Sequence, residues 1–261
     1  MAGNRPSAFE AVDPAAAGLF LDFDGTLSEI VSIPSDARPI EGVAKALSGL
    51  SRSYAVVAVV SGRSAHELLD WLGSAVEIWG VHGAQRTTEG RVELSDRAAE
   101  YGELMSKVKR EAARLVAELG DDGILIEDKQ IALGLHFRTA LDVERARREL
   151  DAIARRLADH YGLVRAGGRL TYELRPPVEL SKASVVIDRA REAGLRGAAF
   201  VGDDLVDLPA FDALDRLEAE GVATLRVAVR SAEAPEELLA RADIVVDGPR
   251  GVLGFLKGLT R

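Results

Sequence analysis

Leu19-Phe20-Leu21-Asp22-Phe23-Asp24-Gly25-Thr26-Leu27 is the stretch on which the reading of this chain turns. Three apolar residues run straight into two aspartates, and Gly25 and Thr26 follow at once. A short apolar run closed by a turn signal predicts a buried strand ending in a loop. In an open α/β sheet, ligands bind just beyond the carboxyl ends of strands, where Asp22 and Asp24 would lie. Two carboxylates one residue apart repel each other, and packing has no use for that. A divalent cation would neutralise the repulsion. The plain competing account is a strand followed by an ordinary Asp-Gly turn.

Outward from this stretch, Glu41 to Arg52 places Val43, Ala46, Leu47 and Leu50 at helical spacing. Tyr54 to Val60 is a continuous apolar run of the kind found in buried parallel strands, and it ends at Ser61-Gly62-Arg63. A helix is expected from about Ala65 to Leu72, then a strand from Val76 to Val81 ending in His82-Gly83. Strand and helix alternate, which predicts a parallel sheet.

The rhythm then changes. Arg97 to Leu119 predicts one long helix, broken by Gly120-Asp121-Asp122-Gly123. Ile124 to Glu127 and Ile131 to Phe137 predict a hairpin turning at Asp128 to Gln130. Asp142 is placed to cap a second helix running to about His160. Leu163 to Ala166 and Leu170 to Leu174 predict a second hairpin. Past Pro176-Pro177 the alternation resumes, with a helix over Ser181 to Ala193 and strands at Ala198 to Val201, Val222 to Val229 and Ile244 to Val246. The expected organisation is an α/β core over 15–96 and 177–261, interrupted by an α+β insert over 97–176. Residues 1–14 are expected as a mobile tail.

Composition bounds the partners. Hydrophobic residues make up 47% of 261, enough for a sizeable core. The net charge is -9, which disfavours nucleic acid and anionic membrane. The insert holds 15 basic and 14 acidic residues, leaving 18 and 28 to the rest of the chain, so it is no basic groove. There are no cysteines, which excludes thiol catalysis and Cys-ligated zinc and fits a reducing compartment. No apolar stretch reaches membrane-spanning length, and the N-terminal residues lack the apolar core of a signal peptide. A cytoplasmic monomer or weak oligomer acting on a small molecule is expected.

Polar residues therefore gather at four strand ends: Asp22/Asp24, Ser61, His82-Gly83, and Asp203/Asp204 with Asp207 close by. Lys182 opens the helix after the insert. This set, in this order, resembles the haloacid-dehalogenase-like phosphatases, whose nucleophile loop reads Asp-x-Asp-Gly-Thr. The resemblance implies a Rossmann-like parallel-sheet core with an inserted cap. It implies Mg2+ held by Asp22, Asp203 and the backbone carbonyl of Asp24, with Asp204 and Asp207 behind them. Asp22 would attack phosphorus, Asp24 would act as general acid and then base, Ser61 would bind a phosphoryl oxygen and Lys182 would orient Asp22. Taken singly, Ser61-Gly62 is an ordinary turn, Lys182 a solvated helix residue and Asp203 a helix cap. Their agreement in context carries the weight.

Glu127-Asp128-Lys129, Leu135-His136-Phe137-Arg138, Glu173-Leu174-Arg175-Pro176 and Gly202-Asp203-Asp204 extend the resemblance to the trehalose-6-phosphate phosphatases. It implies that Glu127, Lys129, Arg138 and Glu173 meet sugar hydroxyls, and that Arg63, His82 and Gly83 lie beside the phosphate. Related activities on sucrose phosphate or a glycosyl-phosphoglycerate, and a non-catalytic sugar-phosphate sensor, are the alternatives. Three positions depart from the family pattern: Val206 replaces a threonine, Leu208 an acidic residue, and Ala183 a glycine.

Overall fold

A computed structural model describes residues 8–31, 36–128, 131–168, 170–178 and 180–259. It divides into two compact units, Met1–Glu93 with Leu180–Arg261, and Leu94–Glu179.

The first unit is built on a sheet whose middle is β1 (Ala17–Leu21). On one side lie β2 (Val56–Val60), β3 (Glu77–Gly80), β4 (Gln85–Thr88) and β5 (Arg91–Leu94). On the other lie β10 (Gly197–Gly202), β11 (Ala223–Arg230) and β12 (Ile244–Asp247). The pairs from β12 through β1 to β3 are parallel, and β4 turns back antiparallel on β3. Alternation along the buried strands sends side chains to two layers. Leu19, Leu21, Val57, Val59, Val201 and Val227 pack with α1 (Val43–Leu50), α2 (Ala65–Leu72) and α9 (Gly248–Leu259). Phe20, Ala58, Val60, Phe200 and Ala228 pack with α6 (Lys182–Glu192), α7 (Leu208–Ala219) and α8 (Glu236–Arg241). Helices on both faces explain why these strands read as unbroken apolar runs.

The second unit opens with α3 (Asp96–Ala99) and α4 (Gly102–Ala117), so the long helix expected over Arg97 to Leu119 is divided at Glu100–Tyr101. A four-stranded antiparallel sheet follows, in the order β6 (Leu125–Asp128), β7 (Leu133–His136), β9 (Thr171–Arg175), β8 (Val164–Gly168). Between β7 and β8 runs α5 (Val143–Tyr161), with the Asp142 carboxylate accepting from Arg145 N at 2.9 Å as its N-cap. One sheet face turns to α5: Arg147 lies over the Phe137 ring, Phe137 stacks on Tyr172, and Asp151 holds Arg165. By strand alternation, Glu127, Gly134, His136, Glu173 and Ala166 face the other way.

Of the tail expected over residues 1–14, residues 1–7 lie outside the described residues, and 8–14 pack on the core. Ala8–Ala11 forms a 3-10 turn that seats Phe9, 2% exposed, in the core beside Val12, and the Asp13 carboxylate caps the next turn from Ala15 N. One buried aromatic ring offsets the ordering of a few residues.

Candidate active site

β1 and β10 are neighbours at the centre of the sheet, and the chain leaves them in opposite directions. Such a switch point opens a crevice beyond the strand ends. Leu21 pairs with Val201, and Asp22 N donates to Val201 O at 2.9 Å. Strand pairing thus fixes Asp22 one step past β1, opposite Gly202-Asp203.

Lys182 arrives from α6. The Ser181 hydroxyl accepts from Ser184 N at 3.2 Å, and Ser181 N donates to the Ser184 hydroxyl at 3.1 Å, a reciprocal cap that fixes where the helix starts. Lys182 is its first residue, buried, with Nζ 2.7 Å from Asp22 Oδ1 and 2.5 Å from Asp207 Oδ1. The other Asp207 oxygen accepts from Asp203 N at 2.9 Å and Asp204 N at 3.2 Å. Asp207 therefore ties the Lys182 ammonium to the loop that carries Asp203. Asp203 Oδ1 accepts from the Thr26 hydroxyl at 3.2 Å. Gly25, at φ +73°, passes so close that a Cβ there would stand 1.9 Å from Asp203 Oδ2.

Oxygens of Asp22, Asp203 and Asp207 lie within 4.8 Å of one another, with one ammonium among them. Burial, opposed by Lys182 and reinforced by Asp207 and Asp203, pushes the Asp22 carboxyl up to about 8. Burial, with Asp207 adding to it, pushes Asp203 up to about 7. Burial alone would lower the Lys182 ammonium, but Asp22 and Asp207 outweigh it and hold it above its ordinary range. The cluster has surplus negative charge and hard oxygen donors, so it fits a divalent cation. Asp207 is committed to Lys182 and two amides, which leaves Asp22 and Asp203 as the carboxylates best able to turn to a cation.

Asp24 stands apart from that cluster in its bonding. Both its oxygens are taken by Arg63: Nε reaches Oδ1 at 3.0 Å and Oδ2 at 2.8 Å, and Nη2 reaches Oδ1 at 2.8 Å. The Asp24 hydrogen bonds keep the Arg63 guanidinium above its ordinary range despite partial burial. Ser61 is buried at the end of β2, with its hydroxyl accepting from Arg63 N at 3.2 Å. Ser61 O accepts from His82 N at 2.9 Å, and Arg63 O from Val81 N at 2.8 Å, so the loops after β2 and β3 are stitched together. Val81 and His82 both carry positive φ, 48° and 55°, a strained bend of the sort found near functional sites. A Cβ on Gly62 would stand 2.9 Å from the His82 ring, and one on Gly83 would stand 2.6 Å from Val185 of α6. Asp204 is exposed and caps the 3-10 turn Leu205–Asp207 through Leu205 N; Val206 is exposed on the same turn.

In the second unit, Glu127 Oε2 lies 2.8 Å from His136 Nε2. Glu127 and Glu173 are each paired with Gly134, on the same sheet face. Arg138 is exposed beyond β7. Lys129, assigned to sugar binding from the sequence, lies outside the described residues. Two contributors carry no signal in the spacing of the motifs. Thr26 follows the second aspartate in the chain, and its hydroxyl holds Asp203. Trp71 was only a helix residue, and it stacks on Phe23 between the two aspartates.

A doubly wound parallel sheet with an α+β insert, and aspartates at the ends of its two central strands, defines a capped haloacid-dehalogenase-like fold. A haloacid dehalogenase-like hydrolase from Bacteroides thetaiotaomicron shares that fold at a TM-score of 0.58 and 15% identity, over 93% of this chain and 99% of that one. Within that class, the trehalose-phosphatase family model matches residues 20–242, and the chain belongs to that family. A trehalose-phosphate phosphatase of Mycobacterium leprae is 33% identical over 256 residues, covering 93% of this chain and 57% of that one. The chain thus spans under three-fifths of that relative. The trehalose-6-phosphate phosphatase of Aspergillus fumigatus superposes with a TM-score of 0.66 at 23% identity, over 94% of this chain and 93% of that one.

Proposed function

We propose that this chain is a magnesium-dependent phosphatase that hydrolyses trehalose 6-phosphate to trehalose and phosphate, with the phosphoryl group carried transiently on Asp22. The observation that carries this is the Asp22–Lys182–Asp207 chain at the end of β1. It holds one carboxylate oxygen fixed at the mouth of the crevice beside a buried cation. Asp22, Asp203 and the Asp24 carbonyl would hold Mg2+, which would neutralise charge on a phosphoryl group.

An oxygen of Asp22 attacks phosphorus, and the bond to the sugar oxygen breaks. Asp24, with one oxygen released from Arg63 and protonated, gives that proton to the leaving oxygen. Asp24 then takes a proton from water as the water oxygen attacks phosphorus. The bond to Asp22 breaks, phosphate leaves and Asp22 is restored. Lys182 orients Asp22 and offsets charge on the phosphoryl group. Ser61, His82 and Gly83 serve the phosphate end of the substrate, and Arg63, expected beside the phosphate, holds the Asp24 carboxylate there. Glu127, Lys129, Arg138 and Glu173 serve the sugar end, where charged groups satisfy hydroxyls. The net charge of -9 supports a small-molecule substrate rather than nucleic acid or an anionic membrane, and the absence of cysteines fits a reducing compartment such as the cytoplasm.

Phosphate release from a panel of sugar phosphates with Mg2+ tests this. Trehalose 6-phosphate is expected to turn over fastest. Faster release from sucrose phosphate, a glycosyl-phosphoglycerate or glucose 6-phosphate overturns the substrate. No release from any of them overturns the activity.

A further inference from the structure

Asp22 and Asp203 are buried and held by their neighbours. The Asp24 side chain is different: it is 46% exposed, and Arg63 is what grips it. An exposed carboxylate rotates freely about its side-chain bonds unless a rigid partner fixes it. Arg63 is 12% exposed but is itself a long side chain with several rotors. Something must hold it in place.

Two rings do. Arg63 Cζ lies 5.5 Å from the centroid of Trp71 and 5.6 Å from that of Phe23. The rings stack on each other at 5.3 Å between centroids. Arg38 Cζ lies 4.9 Å from the Trp71 ring. Trp71 is rooted in α2, packed against the core. Phe23 is fully buried between Asp22 and Asp24. A guanidinium within about 6 Å of an aromatic ring is attracted by the ring quadrupole. The contacts therefore run from α2 to Trp71, to Arg63, to Asp24.

We propose that Trp71 is a positioning residue for the acid–base step: its indole, with Phe23, forms the aromatic contact that holds the Arg63 guanidinium in place and so fixes the orientation of the Asp24 carboxylate. This rests on the phosphatase function proposed above. Trp71 touches no reacting atom in this scheme and acts only through Arg63.

The test compares Trp71→Ala, Trp71→Leu and Trp71→Phe on trehalose 6-phosphate and on p-nitrophenyl phosphate. The sugar alkoxide needs a proton as it leaves, and p-nitrophenolate scarcely does. Trp71→Ala is expected to lower kcat on the sugar phosphate by at least about tenfold, a part of what a general acid supplies, with KM within about twofold. The loss on p-nitrophenyl phosphate is expected to be several times smaller. Trp71→Leu keeps bulk without a π face and should behave like Trp71→Ala; Trp71→Phe should recover most of the rate. An equal loss on both substrates, a loss in KM alone, or full activity in Trp71→Leu overturns this role.

A second measurement does not depend on turnover. The chain has two tryptophans, so Trp79→Phe leaves Trp71 as the sole emitter. In that background Arg63→Ala and Asp24→Asn are each expected to shift its emission. Unchanged emission in both sinks the proposal even if the wild-type enzyme is active. Wild-type turnover of trehalose 6-phosphate tests separately the function on which it rests.

Discussion

Gly25 is the residue that lets two strand ends share one site. Its φ is +73°, and a Cβ would stand 1.9 Å from Asp203 Oδ2. The left-handed backbone is open to glycine at little cost, and no side chain fits the space. Gly25→Ala must push Asp203 away. A displacement of about 1 Å can cost about 10²-fold, so sugar-phosphate turnover should fall at least that far while far-UV circular dichroism stays native. Asp22→Asn should go further and abolish turnover, because the amide cannot attack phosphorus; activity near wild type would remove the covalent step. The same carboxylates set a pH dependence. Burial raises Asp22 from 3.8 to about 8 and Asp203 from 3.8 to about 7, so the folded state binds protons more tightly than the unfolded one. Their contribution to stability is present in full below pH 3.8 and is lost as pH rises through about 7 to 8. A divalent cation competes with those protons, so its apparent affinity should rise over the upper part of that window. Tm of the cation-free protein should therefore fall between pH 5 and 8, and Mg2+ should restore more of it at pH 8. Asp22→Asn should flatten the fall; an unchanged slope would show that these carboxyls do not govern it.

At the scale of elements, α6 shows how a cap becomes part of a site. Ser181 ends the loop and fixes the first helical residue as Lys182. Losing such a cap costs about 1 kcal/mol. Ser181→Ala should lower stability by about that amount in urea unfolding, and it should also lower kcat, since it frees the turn that aims Lys182. A stability loss with unchanged kcat would mean that Asp22 and Asp207 alone hold the lysine. Elements of this kind were legible because their signals are local. α2 runs from Ala65 to Leu72 as its spacing predicts, and the buried strands announce themselves as apolar runs. The β4–β5 hairpin was not legible, although Glu89-Gly90 marks its turn, because its short polar strands sit at the sheet edge with little apolar contrast. Nor was the division at Glu100–Tyr101 visible within an unbroken helical period. Phe9 looked like part of a tail because a single aromatic gives no period at all. Within the site, Asp22, Lys182 and Asp203 were legible from motif order. The saturation of Asp207, the Thr26 bond and the Trp71 stack are side-chain geometry, which spacing along a chain does not encode.

At the scale of the whole molecule, the two units carry different chemistry. The residues of 97–176 are nearly neutral, and the rest of the chain is strongly acidic. In the proposed function the core's aspartates and Lys182 would serve a phosphoryl group, which every phosphomonoester shares, so they would not tell one sugar phosphate from another. Choice must come from groups that meet the sugar. The open face of the second unit's sheet offers a suitable row: Glu127, Gly134 and Glu173 lie at one register on three adjacent strands. Strands are spaced at about 4.8 Å, so the backbones at Glu127 and Glu173 stand about 10 Å apart, and the His136 ring and the Glu127 carboxylate lean over the Gly134 between them, 2.9 and 3.2 Å from where a Cβ would lie. A site built to hydrogen-bond hydroxyls loses strongly when one partner is removed, because charged hydrogen bonds contribute about 1.5–3 kcal/mol each. Glu173→Ala should therefore cut kcat/KM for trehalose 6-phosphate by about 10²-fold or more. Glu127→Ala should follow with a smaller loss. Its carboxylate lies 2.8 Å from His136 Nε2. p-Nitrophenyl phosphate has no sugar, and its hydrolysis should fall far less in both variants. Parallel assays of the two substrates decide the matter. An equal loss on both would mean that Glu173 supports the fold of its own sheet, and no loss on either would take sugar recognition away from this face.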